Sequence, residues 1–121
     1  MPFEVPAPIE IFDEDILYRR VAPAHIDPSS QTVLSNAYKR NGKPDTEISV
    51  DLAKLTTPTK SLVSVEGRPG FRIGKLIVKD VRSLGLTVHY TPNQENPAHC
   101  VINGNSTKQT CKLLAEMTKL I

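Results

Sequence analysis

Apolar and polar residues alternate along several segments of this chain, and the alternation predicts β-strands. Residues 48–55 begin with apolar side chains at every second position, separated by Ser49 and Asp51. The same period of two recurs in residues 86–90 and 98–103. Because successive side chains of a strand point to opposite faces, each segment has one apolar and one polar face. The connection between the last two segments suits an antiparallel pair with a long loop.

Two further segments predict strands mainly from the residue types they contain. The run DILYRRV at 15–21 combines β-branched and aromatic residues, which favours a first strand. Residues 71–81 form the most apolar strand candidate, but their alternation slips at Gly74 and Lys75. Such a slip is typical of a β-bulge that a glycine accommodates, so we expect a bulged strand there.

Helix signals occur in the middle of the chain and at its end. Thr57 precedes Pro58, and this pair suits an N-cap followed by a first helical residue, which predicts a short helix over residues 58–64. Near the end, Ser106 and Gln109 have the spacing of a capping box. Apolar residues then recur on one helical face, at positions 113, 114, 117, 120 and 121.

Residues typical of turns separate these elements and define the predicted fold. Loops are expected at 22–30, 41–47, 66–70 and 91–97, while residues 32–40 fit either a strand that runs into a turn or a helical turn. This order predicts the α+β class: a mostly antiparallel sheet with a short middle helix and a C-terminal amphipathic helix packed on it. Because Pro2, Pro6 and Pro8 each fix φ and lack a donor, residues 1–14 are expected to form an extended arm and residues 15–121 a single domain.

Composition and charge narrow the class of protein. Of the 121 residues, 39% are hydrophobic and 23% are charged, which is ordinary for a globular domain. Three Phe, three Tyr and no Trp mean that the core is built from Val, Ile and Leu. A net charge of +2 gives no support for a nucleic-acid partner. The chain has neither a long apolar run nor a basic, apolar leader, so we expect a cytoplasmic protein without a membrane span.

Sequence motifs with a known mechanism are missing. The chain has no glycine-rich nucleotide loop, no H-E-x-x-H and no G-x-S-x-G. Cys100 and Cys111 lack further ligands nearby, so they are interpreted as buried reduced thiols rather than as a metal site or a disulfide. No metal is expected, and the sequence indicates no particular cofactor.

Single polar residues on the predicted strands are therefore the candidates for a ligand site. Arg19 and Arg20 follow each other on the first strand, so at most one of them points into a given cleft. An arginine fork can clamp a phosphate or carboxylate, whereas the simpler interpretation is a solvated residue or an ion pair with a nearby acid. Tyr38, which ends the uncertain segment 32–40, is a further candidate.

The other candidates lie on later segments. Ser49 and Asp51 share one strand face and could hold a hydroxyl or orient a histidine, although a solvated face explains them equally well. His99 opens the strand at 98–103, next to Asn96, and could act near neutral pH if that amide orients it. A histidine without a nucleophile or carboxylate partner is more often a structural hydrogen-bonding group. The two interpretations stay open.

Four ordered blocks of the sequence resemble a set of small, uncharacterised bacterial proteins. The blocks are LYRRV at 17–21, SNAY at 35–38, ISVDLA at 48–53 and NPAHCVINGNST at 96–107. The related pattern reads L-Y-R-R-[IV], S-x-A-[FY], [LI]-S-V-D and N-P-A-H-x-x-[IV]-x-G, and it spans most of the chain from residue 17 onward. This resemblance implies a bacterial, cytosolic setting and little chemistry.

A weaker resemblance is to ADP-ribosyltransferase-like domains, which bind NAD between a first-strand arginine and a serine of the second strand. Arg19 or Arg20 and Ser35 match these two positions. At the third position, a glutamate, the chain offers only Glu95 in a turn and Glu116 on a helix. His99 would have to act at this position instead.

The sequence thus favours a non-enzymatic accessory module that binds a protein or a small anionic ligand. The polar groups that flank apolar strands are expected to converge on one site, formed by Arg19 or Arg20 together with Tyr38, Ser49, Asp51, Asn96 and His99. One alternative is a nucleotide-processing enzyme, either NAD-dependent or RNA-directed. Another is a self-associating protein whose proline-rich arm reaches a neighbouring copy.

Overall fold

A six-stranded antiparallel sheet is the centre of the fold, and five of its strands coincide with strands that the sequence predicts. The coordinates come from a computed structural model and describe residues 8–121. Within that range the strands are β1 Ile16–Val21, β2 Ile26–Asp27, β3 Thr32–Val33, β4 Lys39–Arg40, β5 Lys43–Pro44, β6 Glu47–Leu52, β7 Arg72–Ile77, β8 Thr87–Tyr90, β9 His99–Asn103 and β10 Lys119–Leu120.

The strand order of the large sheet brings distant parts of the chain together. Its strands lie in the order β10-β7-β1-β6-β9-β8, and each neighbouring pair is antiparallel. The predicted pairing of β8 with β9 is confirmed, with His89 opposite Val101. The first strand lies near the middle of the sheet, between β6 and β7, so residues of β1 have neighbours from both halves of the chain.

Three α-helices accompany the sheet: α1 Pro58–Ser61, α2 Val78–Ser83 and α3 Lys108–Met117. Four short 3-10 turns cover Pro23–His25, Ser35–Tyr38, Ala53–Leu55 and Val63–Val65. The predicted cap of α1 is confirmed, because the Thr57 hydroxyl accepts from the Lys60 amide at 3.2 Å. No helix of residues 8–121 is long and apolar enough to span a membrane.

The C-terminal helix is shorter than its apolar pattern suggests. Its N-cap is Thr107 rather than Ser106, and the Thr107 hydroxyl accepts from the Thr110 amide at 3.1 Å. The helix ends at Met117, so Leu120 belongs to β10 and pairs with Gly74 of β7. A cross-strand pairing thus replaces the last helical turn, because it satisfies backbone groups at the edge of β7.

The core lies mainly between one face of the sheet, α3 and the Ser35–Tyr38 turn. As the composition predicts, aliphatic side chains dominate it, among them Leu17, Val21, Ile48, Val50, Leu52, Leu76, Ile102 and Leu114. Tyr38 is the one fully buried aromatic side chain of the described part of the chain. Cys100 and Cys111 lie in this core as free thiols.

The prediction of a bulged strand over residues 71–81 is wrong in two respects. Pairing of β7 with β1 continues through Gly74 without an extra residue, and helix α2 begins at Val78. The apolar pattern slips because β7 is buried on both faces. Ile73 lies opposite Arg20, away from the main core, whereas Leu76 lies opposite Leu17 within it.

Two predicted loops contain short hairpins. β2 pairs with β3, and β4 pairs with β5 across Asn41 and Gly42. These two turn residues have φ of 53° and 78°, as a type I′ turn requires. The uncertain segment 32–40 combines a two-residue strand, a 3-10 turn and the start of β4, so each of its two interpretations holds for a part of it.

Part of the predicted N-terminal arm packs against the domain. Ile9 and Ile11 contact the core, and the Arg82 guanidinium donates to the Ile11 carbonyl at 2.8 Å. Lys54 donates to the Glu10 carbonyl at 3.0 Å. Residues 1–7 of the arm, with Pro2 and Pro6, lie outside the described residues.

Candidate functional site

The two consecutive arginines of β1 lie on opposite faces of the sheet. Tyr18 is opposite Asp51 in the β1–β6 register, so Arg20, two residues further, shares the face of Asp51. The Arg20 Nη1 atom donates to Asp51 Oδ2 at 2.6 Å. The Asp51 side chain is 1% exposed and that of Arg20 is 18% exposed. The Asp51 carboxylate is therefore removed from water, whereas the Arg20 guanidinium stays partly exposed.

Asp51 joins three segments of the chain through its two carboxylate oxygens. Oδ2 also accepts from the Ser61 hydroxyl at 2.7 Å, and Oδ1 accepts from Asn96 Nδ2 at 2.7 Å. The Asn96 Oδ1 atom in turn accepts from the Ala98 amide at 3.1 Å. Hydrogen bonds of this kind compensate the burial of a charge. The carboxylate thus fixes the end of α1 and the loop before β9 relative to Arg20.

One side of the Arg20 guanidinium makes no hydrogen bond within residues 8–121. Both hydrogens of Nη1 are used, because this atom also donates to the Ser61 carbonyl at 3.0 Å. Nε and Nη2 have no hydrogen-bond partner among residues 8–121. In that part of the chain, every side-chain nitrogen or oxygen that is buried does have a hydrogen-bond partner. Nε and Nη2 are therefore accessible to solvent. Together they form a two-pronged donor that matches a carboxylate or phosphate.

A cleft of about 620 Å³ opens above this ion pair. Its walls come from the segment around α1 and from the loop between β8 and β9. The charged side chains that line it are Arg20, Asp51, Lys60 and Glu95. This volume is within the range of small-molecule sites. The cleft combines a buried polar floor with apolar side chains at its rim.

His99 also lines the cleft, and its ring orientation is set by Thr91. The His99 Nδ1 atom lies 3.0 Å from the Thr91 carbonyl and 2.9 Å from its hydroxyl. A carbonyl oxygen can only accept, so Nδ1 carries the hydrogen and Nε2 presents a lone pair. His99 is opposite Asp51 in the β6–β9 register. The neutral ring can therefore accept a hydrogen bond from a ligand at Nε2.

Arg19 occupies the other face, and each of its three guanidinium nitrogens donates one hydrogen bond to a backbone carbonyl. Nε and Nη2 donate to the Ala37 carbonyl at 3.2 and 2.7 Å, and Nη1 donates to the Ser49 carbonyl at 2.8 Å. Its guanidinium lies 5.6 Å from the centre of the Tyr38 ring. Burial lowers the pKa of Arg19 from its ordinary value. Arg19 thus holds the Ser35–Tyr38 turn against the sheet.

Tyr38 and Ser49 do not line the cleft. The Tyr38 hydroxyl is within 2.6 Å of the Thr118 hydroxyl, and burial raises the pKa of Tyr38 to about 12. By alternation along β6, Ser49 shares the face of Asp51, but its side chain is not among those that line the cleft. Of the predicted site residues, the structure brings together Arg20, Asp51, Asn96 and His99.

Sequence reasoning did not include Lys60 and Ser61. Thr57 and Pro58 correctly indicated the start of a helix, but a four-residue helix has no periodicity that shows which element it covers. Their position above β1 follows from the hydrogen bonds of Ser61 with Arg20 and Asp51.

Within residues 8–121 no three His, Cys, Asp or Glu side chains form a group that could hold a metal. Ser35, which matched a transferase position, lies in a 3-10 turn and not on a strand, whereas Glu95 does line the cleft.

Comparison of the chain with protein-family models, with curated proteins and with solved structures finds no match.

Proposed function

We propose that this protein is a non-enzymatic binding module that holds a small anionic ligand in the cleft above Arg20. The observation that carries the proposal is the free Nε and Nη2 side of Arg20, next to a cleft of about 620 Å³. Two parallel N–H groups bind a carboxylate or phosphate more strongly and more directionally than a single donor. Arg19 has no such free side, because its nitrogens donate to carbonyls.

The neighbouring side chains have distinct roles in this proposal. Lys60 adds a second positive charge at the wall of the cleft and Glu95 adds a negative one, so the anion is selected by the donor fork of Arg20 rather than by an excess of positive charge. His99 offers the lone pair of Nε2 to a ligand hydroxyl or amide. Asp51 is a positioning residue, because its oxygens accept from Arg20, Ser61 and Asn96. The site is therefore organised before a ligand arrives, which reduces the entropy lost on binding.

The other expectations from the sequence remain predictions. These are the bacterial, cytoplasmic setting, the nucleotide-processing alternative and self-association. No contact within residues 8–121 favours one of the two alternative functions over anion binding.

The proposal is tested by titrating the ¹⁵N-labelled protein with acetate and with inorganic phosphate at constant ionic strength. We expect chemical-shift changes at the Arg20 Nε–H group and at the amides of Lys60, Asn96 and His99. In Arg20→Lys the affinity for the anion should fall at least tenfold, because an ammonium group cannot donate two parallel hydrogen bonds.

Arg19→Lys is the matched control, since it makes the same chemical change on the opposite face of the sheet. We expect it to lower the melting temperature while it leaves the affinity within about twofold. All affinities are compared at a temperature where each variant is folded. The proposal is wrong if Arg20→Lys binds the anion as well as the unchanged protein, or if the shifts map to a different surface.

A further inference from the structure

A second hollow adjoins the cleft, and the two share the side chain of Val63. This hollow has a volume of about 520 Å³. Its apolar lining includes Leu62, Val63, Val65 and Phe71. We name it the apolar hollow. The segment that closes the cleft above Arg20 also lines this hollow, and Val63 belongs to the lining of both sites.

Two apolar side chains that line the cleft are partly exposed. Val63 is 60% exposed, and Leu55, at the rim of the cleft, is 37% exposed. Single exposed aliphatic residues are ordinary, but contiguous exposed apolar surface beside a polar pocket is typical of ligand sites. Because Val63 is more than half exposed, a ligand that crosses it would remove part of its apolar surface from water.

The walls of the apolar hollow are held by local contacts. The Arg68 guanidinium lies 5.0 Å from the centre of the Phe71 ring. Gly67 and Gly70 have φ of 87° and 88°, which turn the chain back towards the sheet. A Cβ at Gly70 would approach the Pro23 ring at 3.0 Å, so this turn packs closely on the start of the Pro23–His25 turn.

From this arrangement we infer that the ligand is amphipathic, with a carboxylate or phosphate head at Arg20 and an apolar chain that crosses Val63 into the apolar hollow. The inference rests on the proposed function, because Arg20 fixes the head and thereby directs the chain. A carboxylate and a phosphate would both accept hydrogen bonds from the Arg20 fork, and the experiment below compares the two head groups.

The test compares probes that differ in the alkyl chain, in the head group or in the charge. Octanoate and acetate share a carboxylate, octyl phosphate and inorganic phosphate share a phosphate, and 1-octanol has the chain without a charge. We expect the octyl anions to bind at least tenfold tighter than the corresponding short anions, because the chain removes apolar surface from water. The head group that is bound more tightly identifies the class of ligand.

Variants separate the inference from the proposed function. In Val63→Ser the octyl anion should lose most of its advantage, so the ratio of octyl-anion affinity to short-anion affinity should fall towards one. Ile77→Ser is the control, because Ile77 is also an exposed aliphatic residue, 41% exposed, and lines neither site. It should leave all affinities as they are. In Arg20→Lys both the octyl and the short anions should bind at least tenfold more weakly.

Different failures have different meanings. If the octyl and short anions bind equally, or if Val63→Ser leaves the ratio of their affinities unchanged, the apolar chain has no site there and the inference fails. The proposed function stands in that case. If no anion binds in a way that depends on Arg20, the proposed function fails and this inference fails with it.

Discussion

Asp51→Asn tests the role of the buried ion pair, because it keeps the side-chain volume but removes the charge. In the native protein Asp51 accepts from Arg20, Ser61 and Asn96. An asparagine has one acceptor oxygen, so its amide group must face one of these donors. Arg20 then stays mostly buried without a counter-charge. We expect this variant to be clearly less stable than the unchanged protein.

The size of the effect follows from the burial of the two partners. Breaking a buried ion pair by removing one partner costs about 3–5 kcal/mol. The Arg20 side chain is 18% exposed, so water partly solvates its unpaired charge and the lower end of that range applies. A loss of about 3 kcal/mol corresponds to a urea midpoint lower by about 1.5 M at an m value of about 2 kcal/mol/M. The melting temperature should fall by about 12 °C.

Asp13→Asn is the control for this variant. Asp13 and Arg82 are also 2.6 Å apart, but the Asp13 side chain is 60% exposed. An exposed pair contributes about 1 kcal/mol or less. Both variants are measured by urea unfolding with circular dichroism at pH 7. If they lower the free energy of unfolding equally, burial does not determine the strength of the Arg20–Asp51 pair and the reasoning is refuted.

Three further predictions concern the rest of the fold. Burial raises the pKa of both Tyr38 and Cys100 to about 12, so the stability that these neutral groups contribute is complete below the pKa they have in the unfolded chain and is lost as the pH rises from about 9 towards 12. The urea midpoint should therefore fall between pH 7 and 11, and it should fall less in Cys100→Ala. Identical pH profiles of the two proteins would contradict this. Gly74→Ala should lower the free energy of unfolding by about 1–3 kcal/mol, because the Cβ of the new alanine meets the Thr118 methyl group. Adding Thr118→Ser removes that methyl group and should restore part of the stability. If the effects of the two changes on the free energy of unfolding are strictly additive, the contact does not cause the loss. Thr57→Ala removes the cap of α1 and should lower the free energy of unfolding by about 1 kcal/mol, whereas Thr57→Ser keeps the hydroxyl and should retain most of the native stability. Equal losses in the two variants would show that the hydroxyl does not act as a cap.

The regular elements could be predicted because their signals are local. Alternation in residues 48–52 and 86–90 shows the period of a half-buried strand, and β6 and β8 occupy these segments. The hydroxyl of Thr57 and the ring of Pro58 favour a helix start from their own geometry. The slip at Gly74 misled the prediction, since a bulge and a strand buried on both faces produce the same irregular pattern.

The site could be predicted only in part, because several of its properties are not local. Alternation along β1 shows that Arg19 and Arg20 face opposite ways, but not which of them faces the cleft. The register with β6 decides this, since it places Asp51 opposite Tyr18 and therefore within reach of Arg20. The position of Ser61 depends on a hydrogen bond between residues ten apart.

The sequence by itself determined five strands of the sheet, the start of α1, a helix near the C-terminus and the aliphatic nature of the core. It also supplied a set of site candidates, in which Arg19, Tyr38 and Ser49 stood beside Arg20, Asp51, Asn96 and His99. These follow from periodicity and from the hydrogen-bonding capacity of single residues. The tertiary structure alone decided that the Nε and Nη2 atoms of Arg19 donate to a backbone carbonyl whereas the same two atoms of Arg20 have no partner among residues 8–121. The physical reason is that a donor is free or used according to which acceptors other segments bring within about 3 Å, and strand pairing sets those distances.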